Sequence, residues 1–351
     1  MLFQLPNDDQ LYQALLDRNP SYDGRAYVGV SSTHIFCRLT CTARKPKREN
    51  CSFYSEVSVA IAAGFRPCKR CKPLAPEANG DPTIQALTNA LEAKPAHRWC
   101  EDDITNMGFD PSTVRRAFKR QFGITFLEMA RLSRIRDGFT TLAGGGKVIE
   151  AQLDAGYASP SAFRAAFAKL LGLPPGKLVK DALLKADWID TPLGAMIAIC
   201  DNNALHLLEF GDRKALPTEL KKLVKTVKGN IGIGRFAPTD QVDEELKQFF
   251  AGKSDQFTVP LALHGSVFTK NVWNNLRTIP TGHTKSYSEL ANDIGRPTAT
   301  RAVARANGAN QIAILIPCHR VIGADGSLTG YGGGLWRKQK LIELERQYLV
   351  R

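Results

Sequence analysis

The sequence predicts a multidomain α+β protein, with a small cysteine-rich domain first, a helical region in the middle and a larger α/β domain last. Five of the eight cysteines lie in the first part, the middle contains a repeated helical pattern, and the last part contains strand-like stretches. The length of 351 residues suits two or three domains of about 100–200 residues each. With 43% hydrophobic and 23% charged residues, long disordered regions are not expected. No apolar run approaches the roughly 20 residues that cross a membrane.

The chain is basic, with 47 Lys and Arg against 34 Asp and Glu, a net charge of +13 and a pI near 9.4. The excess is spread over the whole chain, which fits either ordinary solubility charge or a polyanionic partner, most often nucleic acid. The N-terminus has no basic region followed by an apolar segment, so we expect no signal peptide and a cytoplasmic location. In that compartment clustered thiols indicate a metal site rather than a disulfide framework.

Two segments are predicted to be linkers. Residues 72–82 are rich in chain-breaking residues and lack a periodic apolar pattern. Residues 185–192 follow a helical stretch and precede residues 196–200, which are typical of a strand. These two segments separate the three parts of the chain.

The middle part contains an internal repeat, since residues 111–123 match residues 160–172 at equivalent Pro, Ser, Arg, Ala, Phe and Gly positions. Each copy has a helix-starting Asp-Pro or Ser-Pro, ends at Gly, and follows a shorter helical stretch and a turn. This pattern predicts two helix-turn-helix units whose second helices could enter successive major grooves of DNA. A plain helical bundle with a solvated charged face is the alternative. The candidate DNA-binding bases are Arg115, Arg116, Lys119, Arg120, Arg164 and Lys169.

Four cysteines in the first part have the spacing of a zinc site. Cys37 and Cys41 form one close pair, and Cys68 and Cys71 form a second. Two such pairs can place four sulfurs at the corners of a tetrahedron, which suits Zn²⁺. Cys51 is a rival ligand, although it has no partner at short spacing. By default, such a closed site only stabilises a small domain.

Zinc also keeps thiolates ionised at neutral pH, so a zinc-bound sulfur can act as a nucleophile toward an alkyl group. Four thiolates on Zn²⁺ carry two net negative charges, and alkylation of one sulfur removes one of them. Near DNA, this change lowers the repulsion from phosphates and could switch the affinity for DNA. The spacing permits both a structural and a reactive site.

Cys318 stands alone within the apolar run 312–322, where a cysteine is usually an inert core residue. Here it lies in the sequence Pro317-Cys-His-Arg320, and two basic side chains beside a thiol can lower its pKa or accept its proton. Residues 300–309 upstream form a helix with small side chains. Residues 330–334 downstream form a glycine-rich loop that could close over a bound group.

These motifs resemble known families. The middle segment resembles the AraC-type activator domain, and residues 192–346 resemble the O6-alkylguanine-DNA alkyltransferases through Pro317–Arg320, Gly308–Asn310 and Tyr331–Leu335. The cysteine-rich motifs at residues 36–41 and 66–71 are similar to the zinc domain of the Ada family. The chain is therefore identified as a member of the Ada family of bifunctional repair proteins and transcription activators.

The resemblance implies three domains. These are a four-cysteine zinc-binding α/β domain (1–76), an all-α AraC-type double helix-turn-helix domain (83–180) and an alkyltransferase domain (187–351). In the last domain it implies an RNase H-like sheet subdomain followed by a winged-helix-like helical subdomain. The implied partners are double-stranded DNA and, for activation, RNA polymerase. The implied state is a bacterial monomer in the cytoplasm, bound to the nucleoid when it is on DNA.

For the last domain, the resemblance implies irreversible methyl transfer from O6-methylguanine, and less actively from O4-methylthymine, to Cys318. His319 would relay the thiol proton through water to Glu345, and Asn310 would order the turn before the active site. Tyr287 and Arg301 would help to turn the damaged nucleotide out of the helix and fill its place. Base flipping is required because a thiol cannot reach the alkyl carbon in a stacked duplex.

For the first domain, the resemblance implies that Cys37 accepts a methyl group from a DNA phosphotriester, with Cys41, Cys68 and Cys71 as fellow zinc ligands. Each transfer consumes the protein, as in a single-turnover methylated-DNA–protein-cysteine methyltransferase. Methylation of Cys37 would then turn on alkylation-response genes.

Two other classes of function are alternatives. One is a zinc-stabilised transcription regulator whose last domain is a catalytically dead lesion sensor. The other is a cysteine-dependent transferase that acts on small molecules.

Overall fold

The computed structural model describes residues 6–19, 22, 26–55, 57–71, 73, 82–346 and 348, and the chain divides into two compact units. The first unit comprises residues 1–85 with residues 322–329, and the second comprises residues 86–321 with residues 330–351. Within the described ranges no helix is both long and apolar enough to cross a membrane. The predicted linker at 72–82 lies almost entirely outside the described residues.

The first unit contains a small sheet with two helices. The elements are α1 (Asp8–Leu16), β1 (Tyr27–Val30), β2 (Ile35–Arg38), β3 (Cys51–Tyr54), α2 (Val57–Ala62) and β4 (Arg66–Pro67). The strand order is β3-β1-β2-β4, with β1 antiparallel to β2 and β3, and with β4 parallel to β2. Leu11 and Leu15 of α1 belong to the same buried cluster as Val28 and Cys37. The parallel pairing places the residues that follow β2 and β4 at one edge of this small core.

The middle of the chain is helical, as predicted. The helices are α3 (Pro82–Ala93), α4 (Glu101–Asn106), α5 (Pro111–Phe122), α6 (Phe126–Ala143), α7 (Val148–Asp154) and α8 (Pro160–Leu171). Asp110 and Ser159 cap α5 and α8 by accepting a hydrogen bond from a backbone N–H three residues further on. Gly123 and Gly172 end the two helices at a left-handed φ of 73°, which glycine adopts without steric cost. The two helix pairs expected from the repeat are therefore present.

A four-stranded sheet follows, in the order β7-β6-β5-β8. Its elements are β5 (Leu184–Ile189), β6 (Met196–Cys200), β7 (Leu205–Phe210), α9 (Leu216–Val227), β8 (Ile231–Ile233) and α10 (Ala237–Phe250). The predicted linker at 185–192 is wrong, because most of it is β5, which pairs with both β6 and β8. Lys185, Asp187 and the absence of a continuous apolar run hid this strand, in which Leu184, Ala186 and Ile189 are buried.

The C-terminal part is mostly helical. Its elements are α11 (Val267–Arg277), β9 (Lys285–Ser286), α12 (Tyr287–Asp293), α13 (Thr300–Gly308), β10 (Val321–Ile322) and α14 (Leu335–Arg346), with a 3-10 turn at Cys318–Arg320. A mixed helix-and-sheet fold of this kind was predicted for the last part of the chain.

The two faces of the second unit's sheet support two different cores, because successive side chains of a strand point to opposite sides. On one face Ile197 and Ile199 pack with Phe139 and Phe167 of the helical middle region. On the other face Met196, Ala198 and Cys200 pack with α10, with helices of the C-terminal part such as α11, and with the turn that carries Cys318. The helical region and the sheet thus share a buried core within the second unit.

Candidate functional sites: a four-cysteine cluster and a buried thiol

The four cysteines with zinc spacing lie together. The sulfur atoms of Cys37, Cys41, Cys68 and Cys71 all lie within 4.8 Å of one another. Cys37 is on β2, Cys41 follows this strand, and the other two follow β4, which is parallel to β2. The N–H of Arg38 also donates to the sulfur of Cys71 at 3.4 Å. The strand pairing therefore brings together two pairs that are distant in sequence.

The chemistry of this donor set fits Zn²⁺. Sulfurs bound tetrahedrally at about 2.3 Å from zinc are about 3.8 Å from one another, which agrees with the close grouping found here. A hydrogen bond to the Cys71 sulfur and burial raise the pKa of Cys37, whereas the hydrogen bond from Cys37 lowers the pKa of Cys71 to about 6. One sulfur of the group is thus readily ionised, as a metal ligand must be. The four cysteines form a zinc site.

Cys51 is not part of this group. Its thiol is buried in the same core but donates a hydrogen bond to the carbonyl oxygen of Lys47 at 3.3 Å. Burial raises its pKa, which keeps it a neutral thiol. The rival ligand set containing Cys51 is therefore not supported.

Exposed bases flank two of the zinc ligands in the chain. Arg66, Lys69 and Arg70 are exposed, and they flank Cys68 and Cys71 in the chain. Such side chains can contact phosphates of a nucleic acid. The site therefore combines sulfur nucleophiles with a surface suited to a polyanion.

Cys318 is buried at the start of the 3-10 turn, with only 6% of its surface exposed. Asn310 lies against it, with its side-chain nitrogen 3.1 Å from the Cys318 sulfur. The same amide donates to the carbonyl oxygen of Ile316 at 2.8 Å, and its oxygen accepts from the N–H of Ile312 at 3.0 Å. Asn310 thus ties the loop before Cys318 to the thiol itself.

The loop also contains a strained residue. Ile314 has a φ of 71°, which is unusual for a β-branched side chain and persists only where the surroundings impose it. Its neighbours Ile312 and Ala313 are joined to Leu208 of β7, which donates to the carbonyl oxygen of Gln311 and accepts from the N–H of Ala313. The sheet therefore holds the loop from one side.

His319 and Glu345 form a buried pair next to the thiol. The His319 Nε2 atom is 2.7 Å from a Glu345 oxygen, and Arg320 contacts the same carboxylate through two nitrogens, each at 2.9 Å. Burial would raise the pKa of Glu345, but the charges and hydrogen bonds of His319 and Arg320 lower it to about 2. Burial lowers the pKa of His319, against the attraction of Glu345. The pair is therefore an ionised carboxylate holding a neutral imidazole.

This arrangement leaves one ring nitrogen for chemistry. The Nδ1 atom of His319 is buried and has no hydrogen-bond partner among the described residues. Burial raises the pKa of Cys318 to about 11, while the hydrogen bond of Asn310 lowers it. The resting thiol is consequently neutral, and it needs a base before it can attack an alkyl group.

The predicted nucleotide-handling residues lie on two other elements. Tyr287 begins α12, and a side chain at Gly330 would approach its hydroxyl to 3.1 Å. Arg301 is exposed on α13, where Ala302, Arg305 and Gly308 are exposed as well. The small residues leave this helix face free to approach another surface closely.

The candidate DNA-binding bases are on the second helices of the two helix-turn-helix pairs. Arg115, Arg116 and Lys119 are exposed on α5, and the side chain of Arg120 lies outside what the structure describes. Arg115 forms an ion pair with Glu101 of α4 at 2.5 Å. Arg164 and Lys169 are on α8, and both are exposed.

Sequence reasoning missed a group of buried charged side chains close to the Cys318 loop. Arg213 forms ion pairs with both Glu209 and Glu219, and Arg337 pairs with Asp212. The sequence shows only an apolar strand followed by a charged turn at these positions. Charged turns are common on solvated surfaces, so this pattern does not indicate a buried cluster.

Three regions of the chain match known protein families. Residues 10–74 match the metal binding domain of Ada, residues 105–181 match a helix-turn-helix domain, and residues 267–347 match the 6-O-methylguanine DNA methyltransferase DNA binding domain.

Individual relatives cover nearly all of the chain or about half of it. The bifunctional transcriptional activator/DNA repair enzyme Ada of Escherichia coli is 35% identical over 97% of each chain. A methylated-DNA–protein-cysteine methyltransferase of Mycobacterium leprae is 41% identical over 46% of this chain and 92% of its own. The crystal structure of Mycobacterium tuberculosis O6-methylguanine methyltransferase is 39% identical, covers 47% of this chain and 94% of its own, and has a TM-score of 0.42.

Proposed function

We propose that this chain, which belongs to the Ada family of transcriptional activators and DNA repair enzymes, repairs alkylated DNA by transferring methyl groups to two of its own cysteines. The observation that carries the proposal is the arrangement at Cys318, where a buried thiol lies beside Asn310 and a His319–Glu345 pair. An inert core cysteine needs no such neighbours. The same arrangement argues against a catalytically dead lesion sensor, because nucleophile and base are both present.

At Cys318 the substrate is O6-methylguanine in double-stranded DNA, with O4-methylthymine as a poorer one. His319, held by Glu345, takes the thiol proton through a water at Nδ1. The sulfur then forms a bond to the methyl carbon as the carbon–oxygen bond breaks, and the leaving guanine takes up a proton. The product is a thioether, so each molecule acts once. Tyr287 and Arg301 turn the nucleotide out and hold the gap, which is required for the thiol to reach the lesion.

At the first site Cys37 accepts a methyl group from a DNA methyl phosphotriester. Zinc, when bound, keeps the sulfurs ionised and therefore nucleophilic at neutral pH. The choice of Cys37 rests on the family resemblance rather than on exposure, because Cys71 is the least buried of the four. Arg66, Lys69 and Arg70 are suited to contact the phosphates beside the lesion.

Methylation of Cys37 turns the protein into an activator of alkylation-response genes. Loss of one negative charge at the zinc site lowers the repulsion from DNA phosphates, and the bases of α5 and α8 contact the promoter. Arg120 belongs to this set by its place in the sequence. RNA polymerase is the partner for activation. The protein acts as a monomer in the cytoplasm of a bacterium. Its domains are 1–76, 83–180 and a third that begins at Leu184, where β5 starts, rather than at residue 187.

The test uses DNA carrying tritium-labelled methyl groups, incubated with excess protein and followed by tryptic digestion. Trypsin separates the two acceptors, because Cys37 is the sole cysteine of peptide 26–38 and Cys318 of peptide 306–320. Label on both peptides is expected, and Cys318→Ala should lose only the second. Cys200→Ala, which removes a buried thiol of the sheet, is the matched control. Label on neither peptide would refute the proposal, and label on peptide 39–44 would move the first acceptor to Cys41.

A further inference from the structure

Arg213 lies in the turn after β7, far from Cys318 in the sequence, yet it contacts the loop that precedes the reactive thiol. Its side chain is 9% exposed. One guanidinium nitrogen donates to the carbonyl oxygen of Asn310 at 3.3 Å, and the other donates to that of Gly308 at 3.2 Å. A single planar group therefore binds two carbonyls of the segment that presents Asn310 to the thiol.

Two carboxylates hold this guanidinium in place. Glu209 of β7 accepts from one nitrogen at 2.5 Å, and Glu219 of α9 accepts from the other at 2.7 Å. Both carboxylates are buried, with one oxygen of each lacking a hydrogen-bond partner among the described residues. A buried ion pair of this kind gains little stability over apolar packing. Its geometry, two carboxylates and two carbonyls around one planar cation, suits fixing a position.

The guanidinium also touches the loop that follows the active site. A Cβ placed on Gly332 would lie 2.5 Å from the Arg213 nitrogen that also binds Asn310. Gly332 therefore passes close to the guanidinium of Arg213, next to the half-buried Tyr331. The backbone segments before and after Cys318 thus meet on one side chain, which comes from the turn after β7.

We propose that Arg213, oriented by Glu209 and Glu219, is a positioning residue for alkyl transfer at Cys318, because it fixes residues 308–310 and residue 332 around the thiol. This inference rests on the proposed function for its reaction, but it makes a separate statement about the thiol. Arg213 does not touch the reacting atoms. It acts through Asn310, whose amide lies against the sulfur.

The charges near the thiol provide a second readout besides the rate of transfer. Burial has the largest effect on the pKa of Cys318 and raises it, as Glu209 does, whereas the Asn310 hydrogen bond, Lys338 and Arg213 lower it. Loss of Arg213 removes a cation and loosens Asn310, so the pKa of Cys318 should rise. A merely structural side chain would leave this pKa unchanged in the folded protein.

Three variants separate position from charge. Arg213→Met removes the charge and all donors, and Arg213→Lys keeps the charge but cannot bind both carbonyls in one plane. Gly332→Ala keeps the Arg213 side chain, but the added methyl group displaces its guanidinium. Arg235→Met is the matched control. Arg235 also binds carboxylates, namely Asp187 of β5 and Asp240 and Asp243 of α10. Its ion pairs do not involve the loop before Cys318.

The rate of single-turnover methyl transfer from O6-methylguanine DNA is measured for each full-length protein, with thermal unfolding to confirm folding. We expect transfer to slow by about tenfold to a hundredfold in Arg213→Met, and by less in the Lys and Gly332→Ala variants. Arg235→Met should keep the wild-type rate. Wild-type transfer in folded Arg213→Met would overturn the inference, as would equal slowing in Arg235→Met. If Arg213→Met does not fold, the Lys and Gly332→Ala variants decide by the same criterion.

A measurement without DNA keeps this inference separate from the proposed function. Iodoacetamide alkylation of Cys318, followed on peptide 306–320 between about pH 7 and pH 10, reports the ionisation of the thiol in each protein. The profile should move to higher pH in Arg213→Met and stay in place in Arg235→Met. If Arg213→Met shows this shift but the wild-type protein transfers no methyl group, the repair function is refuted and the positioning role of Arg213 is retained. Identical profiles would refute the positioning role alone.

Discussion

Cys37 lies among three other sulfurs in a group that suits Zn²⁺, whereas Cys318 lies alone in an apolar core with a histidine–glutamate pair beside it. At the first site a cation makes thiolates stable at neutral pH. At the second, burial raises the pKa of the thiol to about 11, and a base must take the proton when the substrate is present. One chain can therefore prepare two cysteines for the same alkyl-transfer chemistry by independent means, each within its own compact unit.

The largest effects should come from substitutions of the zinc ligands, and they should leave methyl transfer to Cys318 in the second unit unchanged. Cys41→Ala should abolish zinc binding and methyl transfer to Cys37, because structural zinc sites contribute on the order of 10 kcal/mol to folding. Cys51→Ala is the control, since its thiol contacts the Lys47 carbonyl and not the cluster. Zinc content and label on peptide 26–38 are measured. Equal zinc loss in both variants would contradict the assigned ligand set.

A smaller effect, confined to the other site, is expected from the base. His319→Gln can still bond Glu345 but cannot accept a proton, so transfer from O6-methylguanine should slow by about 10²–10⁴-fold. The remaining rate should increase with pH, because it depends on the small fraction of Cys318 already ionised below its pKa of about 11. Single-turnover kinetics at several pH values check this. A parallel loss of label on peptide 26–38 would show that the sites are not independent.

The Glu345 pair also predicts a pH dependence of stability. The pKa of Glu345 is about 2 in the folded protein, against 4.5 for an ordinary glutamate. The contribution of this carboxylate to stability is therefore complete above pH 4.5 and is lost as the pH falls toward 2. We expect the free energy of unfolding of the second unit to fall by about 3 kcal/mol more in wild type than in Glu345→Gln over this range. All four tryptophans belong to the second unit, so urea unfolding followed by their fluorescence measures it. A constant difference between the two proteins would contradict the pairing.

The smallest effects concern the helix-turn-helix bases, which serve neither thiol directly. Arg116→Ala or Lys119→Ala should weaken DNA binding at low salt and reduce the slope of log K against log salt by about one for each lost phosphate contact. Methyl transfer to Cys318 in excess protein should be unchanged. Lys222→Ala is the control, because Lys222 is an exposed base of α9. An equal change of the salt slope in this variant would show that the bases of α5 have no special role in DNA binding.

The two reactive sites differ in how far the sequence alone could define them. The four-cysteine group was predictable, because the two cysteines of each pair are close in sequence and few spacings suit a zinc site. The exclusion of Cys51 was not predictable, since its hydrogen bond to Lys47 depends on the fold. At Cys318 the neighbours in sequence were visible, and Glu345 and Asn310 came from the family resemblance. Arg213 left no signal, because its contacts with Gly308 and Asn310 join residues 95 and 97 positions apart.

The fold divides in the same way. The helix pairs of the repeat follow from local capping and glycine stops, and they are present as predicted. Strand β5 was missed because its identity depends on pairing with β6 and β8 rather than on its own alternation. The shared core of Phe139, Phe167 and Ile197 was missed for the same reason, since each of these residues is equally compatible with a separate domain.

The most direct test of two independently activated thiols is transfer from tritium-methylated DNA to zinc-loaded and zinc-stripped protein, counting peptides 26–38 and 306–320 from the same digests. We predict that stripping removes the label from peptide 26–38 and leaves the label on peptide 306–320 at its original level. Equal loss from both peptides, or label that persists on peptide 26–38 without zinc, would contradict the account.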